Sequence, residues 1–374
     1  MTILFEPVKI GPLVLKNRFV RSATYFGLAD RDGFVGDESV SLMKLLAQGE
    51  PGLIVTGYAF VHETGQVVPD MNGIHTDDHI PGYRRMTRAV HDREGTIIMQ
   101  IAHGGSAAYS ASFFERDYMA VSCYEGMPRY GKAAREMTEE DIEAIISYFG
   151  EAARRVREAG FDGVQIHGAH GYLVSQFLSP STNRRTDRWG GSLVNRMRFV
   201  REVVRAVRRG AGNDFPVMIK LGCRDFLDDL RGLTIDEGAA VARTLENEGV
   251  CAIEISNGLP FEQTMPLKID TPEREATYLP EARRVREETT GPLWLVGGLR
   301  SLPVMEYVVA SGVVDCVALC RPFIREPQVV KRWKEGDTRP SACISCGRCF
   351  HYLGKGRHRI ACRVLEKGSR SRSG

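Results

Sequence analysis

Long hydrophobic runs are missing from the chain. No window of its 374 residues reaches the roughly 18 apolar residues that a membrane span needs. The longest contender, Val308 to Cys320, is interrupted by Ser311, Gly312 and Asp315. The opening MTILFEPVKIG has no basic stretch leading into an apolar one, so no secretory leader is expected. Charge of one sign is scarce as well. Fifty Lys+Arg against 47 Asp+Glu leave +3, which gives no footprint for nucleic acid or an anionic membrane. The nine cysteines form an odd set, which argues against a fully paired disulfide framework. There is no short-period repeat, and the one low-complexity stretch, Ser369 to Gly374, is expected to be disordered. With 43% hydrophobic and 26% charged residues, the expectation is a soluble, cytoplasmic, globular protein of enzyme size.

What is present is an alternation. β-Branched and aliphatic runs at Phe19–Thr24, Leu53–Gly57, Thr96–Ile101, Gly163–His167, Pro216–Leu221, Ala252–Ser256, Leu293–Val296 and Val314–Leu319 read as strands. Helical patterns lie near 38–48, 79–94, 138–159, 192–210, 234–248, 279–290, 301–311 and 325–334. Thr138 with Asp141 and Thr234 with Glu237 fit capping boxes; Gly160, Gly249 and Gly312 stand where helices should end. Eight strands alternating with eight helices predict an α/β fold, a parallel (β/α)8 TIM barrel. A doubly wound sheet with an added lobe is the alternative. Gly11 and Asn17 suggest an N-terminal hairpin capping the barrel bottom. The stretch 104–137, after the third strand, reads as a long loop and a lid. The expected division is residues 1–335 as barrel and 336–374 as a Cys-rich C-terminal extension.

In such a barrel, function sits at the C-terminal ends of the strands. Those ends carry Ala23-Thr24-Tyr25, Gly57-Tyr58, Gln100 with His103, His167 with His170 and Tyr172, Lys220, Gly297-Gly298 and Cys320-Arg321. His167 and His170 could hold a substrate oxygen with Tyr172 as proton donor, could ligate a metal, or could be hydrogen-bonded structural histidines. Gly297-Gly298 with Arg321, on the last two strands, suggest a phosphate site; a tight βα turn is the plainer reading. Lys220 could stabilise negative charge on an electron-rich ring, or simply extend toward solvent. The polar stretch Asn183 to Arg196 reads as a structural loop.

These residues resemble the old yellow enzyme family of FMN-dependent oxidoreductases. The matching motifs run from Leu4-Phe5-Glu6-Pro7, Ile10-Gly11 and Lys16-Asn17-Arg18 through Gln100-x-x-His103-x-Gly105, the run His167 to Tyr172, and Phe177-Leu178-Ser179-Pro180. They continue with Asn183-x-Arg185-x-Asp187-x-x-Gly190-Gly191-Ser192, Asn195-Arg196 and Val296-Gly297-Gly298. The closer likeness is to the bacterial NADH:flavin oxidoreductase and dienoyl-CoA reductase branch. The resemblance implies that Ala23, Thr24, Tyr25 and Gly57 line the FMN ring, that Gln100 meets its pyrimidine edge, and that Lys220 faces N1 and O2. Gly297, Gly298, Cys320 and Arg321 would hold the phosphate. It further implies an ene-reductase: NADH or NADPH reduces FMN, and N5 then delivers hydride to the β-carbon of an α,β-unsaturated carbonyl. His167 and His170 would bind the acceptor oxygen, and Tyr172 would protonate the α-carbon. Three departures stand out. Tyr25 sits where Cys or Thr is common, Lys220 replaces an arginine, and Cys320 replaces the usual glycine.

Five cysteines (Cys123, Cys223, Cys251, Cys316, Cys320) read as buried thiols. Cys343, Cys346, Cys349 and Cys362 form a cluster with metal-ligand character. It resembles the iron–sulfur segment of dienoyl-CoA reductase and trimethylamine dehydrogenase relatives; a 4Fe-4S centre, a structural zinc and unligated thiols all stay open. The further FAD- or ADP-binding module of those relatives is expected to be absent. Two alternatives remain open beside the ene-reductase. One is an amine or ether dehydrogenase passing electrons from FMN to the cluster; the other is a flavin- and Cys-based redox sensor. The expected partner is a small-molecule substrate, with a homo-oligomer left open.

Overall fold

The computed structural model describes residues 2–107, 116–124, 134–227, 231–259, 267–350 and 359–365. Eight strands close into a ring: β1 (Phe19–Arg21), β2 (Leu53–Val55), β3 (Ile97–Ala102), β4 (Val164–Gly168), β5 (Val217–Gly222), β6 (Ala252–Ser256), β7 (Leu293–Val296) and β8 (Cys316–Leu319). Every neighbour pair is parallel, β8 returns to β1, and β3 pairs with both β2 and β4. This is the (β/α)8 barrel that the alternation predicts. The helices outside it are α1 (Asp37–Ala47), α2 (Ile80–His91), α3 (Glu139–Glu158), α4 (Leu193–Ala211), α5 (Ile235–Asn247), α6 (Leu279–Arg286), α7 (Leu302–Ala310) and α8 (Val329–Lys334). Both capping boxes form, Thr138 with Asp141 and Thr234 with Glu237. Gly160, Gly249 and Gly312 end their helices at positive φ.

Helix periodicity decides which faces are buried. In α3, Ile142, Ile145, Phe149, Ala152 and Val156 recur at three- and four-residue spacing and pack on the outer barrel wall. Where α3 meets α4, Gly150 and Gly210 let the backbones touch; a Cβ on Gly210 would lie 2.0 Å from the Gly150 carbonyl oxygen. Strand alternation then sets the interior. Val20, Leu53, Val55, Ile98, Met218, Ala252, Trp294, Cys316 and Ala318 form an apolar bottom layer. It is capped by Ile10 and Leu15 of the antiparallel hairpin Val8–Ile10/Leu13–Leu15. The expected hairpin cap is therefore present.

Three expectations are corrected. The helix expected over 325–334 is broken into Arg321–Arg325 and α8, because Glu326 before Pro327 is driven out of the helical region (φ −138°, ψ 86°). The 104–137 stretch is not wholly irregular: Met119–Ala120 and Arg135–Glu136 pair in parallel, and Arg135 ties Asp117 to Asp141. The remainder of that stretch, 108–115 and 125–133, lies outside the described residues. Of the five thiols expected to be buried, Cys223 and Cys316 are, whereas Cys251 and Cys320 are half-buried and Cys123 is exposed on the insert. The Asn183–Arg196 loop is structural as expected. Asn183 donates to the Phe177 and Trp189 carbonyls, and Arg196 bonds Leu178 and Glu237.

Trp294 is fully buried at the centre of the bottom layer. Trp294→Ala is expected to cost about 3–5 kcal/mol, read as a fall in the denaturation midpoint at constant m-value.

Candidate active site

Two residues further along from Val20, Ile98, Met218 and Ala252, the interior changes from apolar to polar. Ser22 follows β1, Gln100 lies in β3, Gln165 in β4, Lys220 in β5 and Glu254 in β6, all 3% exposed or less. Lys220 Nζ donates to Ser22 Oγ at 2.8 Å and pairs with Glu254 Oε1 at 3.2 Å. Ser22 Oγ donates to the same carboxylate oxygen at 2.6 Å. Gln165 Nε2 donates to Glu254 Oε2 at 2.8 Å, and its carbonyl accepts from Gln100 Nε2 at 2.7 Å.

Above this tier stand the imidazoles. His167 faces Lys220 in the strand register. Its Nδ1 accepts from the Ala169 N–H at 3.3 Å, so the proton of the neutral ring sits on Nε2. His170 adopts φ +61°, a left-handed conformation unusual for a non-glycine residue. The turn carries its ring from β4 across to β6, where Nε2 meets Ser256 Oγ at 2.8 Å. The two rings lie 5.0 Å apart, nearly perpendicular. Burial holds both well below the usual histidine range, with Lys220 pushing the same way. Both shifts favour the neutral rings.

Tyr172 precedes the short helix Leu173–Leu178, its ring 4.6 Å from that of His167. Tyr58 stands edge-on to Tyr172 at 5.5 Å and stacks on Tyr25 at 5.9 Å. Burial pushes the Tyr58 hydroxyl up to about 12, opposed by its hydrogen bond with Tyr172. Tyr25 donates to the Pro69 carbonyl at 2.8 Å. His103 is tied to Thr64 and to the Gly105 N–H, which makes it structural.

The expected cofactor residues gather at the same end. Ala23 packs beside the apolar layer. Thr24 Oγ1 donates to the Ser22 carbonyl and lies 3.1 Å from Cys320 Sγ. Gly57 runs so close to β1 that a Cβ would lie 2.8 Å from the Thr24 carbonyl oxygen. Gly297 and Gly298 both take positive φ (+122° and +75°), which only glycine adopts without strain. The N–H groups leading into α7 are occupied: Glu275 Oε2 accepts from Arg300 N and Ser301 N. Arg321 is buried, and its guanidinium reaches the Ser345 carbonyl at 3.5 Å.

Cys343, Cys346, Cys349 and Cys362 line one pocket with Arg321, Arg325 and Arg348. Arg325 lies 3.7 Å from Cys362 Sγ. Among the described residues no three His, Cys, Asp or Glu stand close enough to hold a single metal ion. The extension is joined to the barrel by Ser341 N to the Arg300 carbonyl and Ile360 N to the Phe26 carbonyl.

Sequence reading missed Ser22, Gln165, Glu254 and Glu275, and gave Tyr58 no role. Period-two alternation inside the strand runs would have placed Gln165 and Glu254 inward.

The model of the NADH:flavin oxidoreductase / NADH oxidase family matches residues 3–339. An NADH oxidase of Thermoanaerobacter brockii is 34% identical over 372 residues, covering 96% of this chain and 55% of that protein. The chain thus spans little more than half the length of this relative. A solved 2-naphthoyl-CoA reductase complex superposes with TM-score 0.90 at 27% identity, over 97% of this chain and 56% of that one. The old yellow enzyme homologue from Zymomonas mobilis gives TM-score 0.73 at 26% identity, over 89% of this chain and 92% of that one. With a polar tier and a paired-histidine face at the C-terminal mouth of an eight-stranded barrel, and a family match over nearly its whole length, the chain belongs to the NADH:flavin oxidoreductase / NADH oxidase family, the old yellow enzyme group.

Proposed function

We propose that the protein is an FMN-dependent NAD(P)H oxidoreductase that reduces the activated double bond of an α,β-unsaturated carbonyl or a similar acceptor. One observation carries the reading: two neutral imidazoles and a hydrogen-bonded tyrosine pair converge directly above a tier holding a lysine and a glutamine. The donor set fits FMN. Two protons of Lys220 are engaged within the tier, which leaves one for a ring oxygen or nitrogen. Gln100 spends its amide on Gln165 and keeps its carbonyl for an N–H donor. Ala23, Thr24, Tyr25 and Gly57 would border the ring, and Gly297, Gly298, Cys320 and Arg321 would hold the phosphate.

FMN supplies hydride exchange between the nicotinamide and the acceptor. His167 Nε2–H and the His170 ring would bind the acceptor oxygen and draw electron density toward it. Tyr172 would give the proton to the α-carbon, and the Tyr58 hydroxyl would stabilise the charge left behind. Residues 1–335 would be the catalytic unit and 336–374 an extension carrying a redox centre. Four thiolates around one centre are anionic. The arginines lining the pocket, with no carboxylate among its described lining residues, support such a centre.

Three outcomes follow. His167→Ala with His170→Ala should leave flavin bleaching by NADPH intact while lowering enone turnover about 100-fold or more; unchanged turnover overturns the clamp. Because the histidine pKa values are lowered, the neutral rings persist as pH falls past about 6.5. Enone turnover should therefore show no loss centred there, and an acid limb near 6.5 would mean that a ring protonates. Protein purified without air should keep a broad absorption after the flavin bleaches, and Cys346→Ser should remove it; no such band means that no cluster is bound.

A further inference from the structure

Glu254 carries a charge in the one place where the proposed reaction has no use for one. It is wholly buried, two residues from the apolar bottom layer, and its hydrogen-bond and ion-pair partners, Ser22, Gln165 and Lys220, all belong to the tier. Leaving a carboxylate unpaired at such a depth is strongly unfavourable, so its partners are fixed. As an ionised group it only accepts hydrogen bonds. Gln165 must therefore turn its amide to Glu254 and its carbonyl to Gln100. Gln100 must in turn spend its amide there. The orientation of the glutamine proposed to meet the flavin is thus dictated from two residues away. On the other side, Glu254 and Ser22 hold the ammonium of Lys220 at 3.2 and 2.8 Å, while the buried Arg21 guanidinium, on β1 next to Ser22, lies within electrostatic reach of the same carboxylate.

We propose that Glu254, which would touch neither cofactor nor substrate, is a positioning residue that sets both the charge and the hydrogen-bond polarity of the flavin site. It offsets Lys220 and fixes which way Gln100 faces. The inference rests on the FMN reading above. Reduced flavin is more negative than oxidised flavin, so an unopposed Lys220 favours the reduced form. Glu254 holds that preference down and keeps the bound cofactor a ready donor.

The test is the two-electron midpoint potential of bound FMN, followed optically, with the dissociation constants of oxidised and reduced FMN measured alongside. Glu254→Gln keeps the shape and removes the charge. It should raise the affinity for reduced relative to oxidised FMN at least tenfold, which for this couple is about 30 mV upward. Glu254→Gln with Lys220→Met removes both charges and should return the potential to that of the parent chain. The paired replacement also guards against a fold failure, because removing a whole buried pair is tolerated better than breaking it. If Glu254→Gln does not fold, the double variant alone decides. A potential near the parent value supports neutralisation, and one at least 30 mV lower shows that Lys220 was acting unopposed. FMN bound with an unchanged potential in Glu254→Gln overturns this inference alone. A parent chain that takes up no FMN overturns the flavin reading and this inference together.

Discussion

Each strand of a closed parallel barrel offers the interior only every second side chain, so a residue's place along its strand becomes its height in the molecule. The functional layout here depends on that constraint. Met218 and Lys220, or Ala252 and Glu254, are two residues apart in sequence and one storey apart in space. The apolar storey excludes water from below, which lets a lysine and a glutamate sit above it as a pair rather than as two solvated ions. The histidines take the next storey, where Lys220 and burial together keep them neutral. Stability, electrostatics and donor chemistry are stacked along one axis.

The upper storey is where the backbone departs from regularity. His170 holds a left-handed φ, followed by Gly171 at +72°. A non-glycine residue in that region costs on the order of 1 kcal/mol or more. The return is geometric: an imidazole that starts on β4 reaches Ser256 on β6 and completes a pair that one regular strand could not present. The fold recovers the cost in its buried apolar wall, where α3 and α4 close on the barrel through backbone contact at Gly150 and Gly210.

Much of this was legible in the sequence because it is local. β-Branched runs mark all eight barrel strands, capping boxes mark the starts of α3 and α5, and three glycines mark helix ends. The His167–Tyr172 run is legible for the same reason, all of it within six residues. The supporting tier is not local. Ser22 and Glu254 are 232 positions apart, Gln165 and Glu254 are 89 apart, and Gln100 and Gln165 are 65 apart. Each looks like a lone polar residue inside a hydrophobic run until the ring closes and brings them together. The break at Glu326 was missed because the amphipathic pattern runs on through Pro327, whereas the restriction on the preceding backbone does not.

Segments far apart in sequence close the wall of the barrel. The last barrel strand, β8, pairs with the first, and Ile360 bonds the carbonyl of Phe26, next to Tyr25. During synthesis, β1 therefore waits with one edge unpaired until Cys316–Leu319 has left the ribosome. The wall around Tyr25 is finished later still. An unpaired strand edge is an invitation to wrong partners, so the nascent chain is vulnerable over the roughly 300 residues that separate the two strands. A cofactor that lodges against Tyr25 can be enclosed only after Ile360 has emerged and joined Phe26.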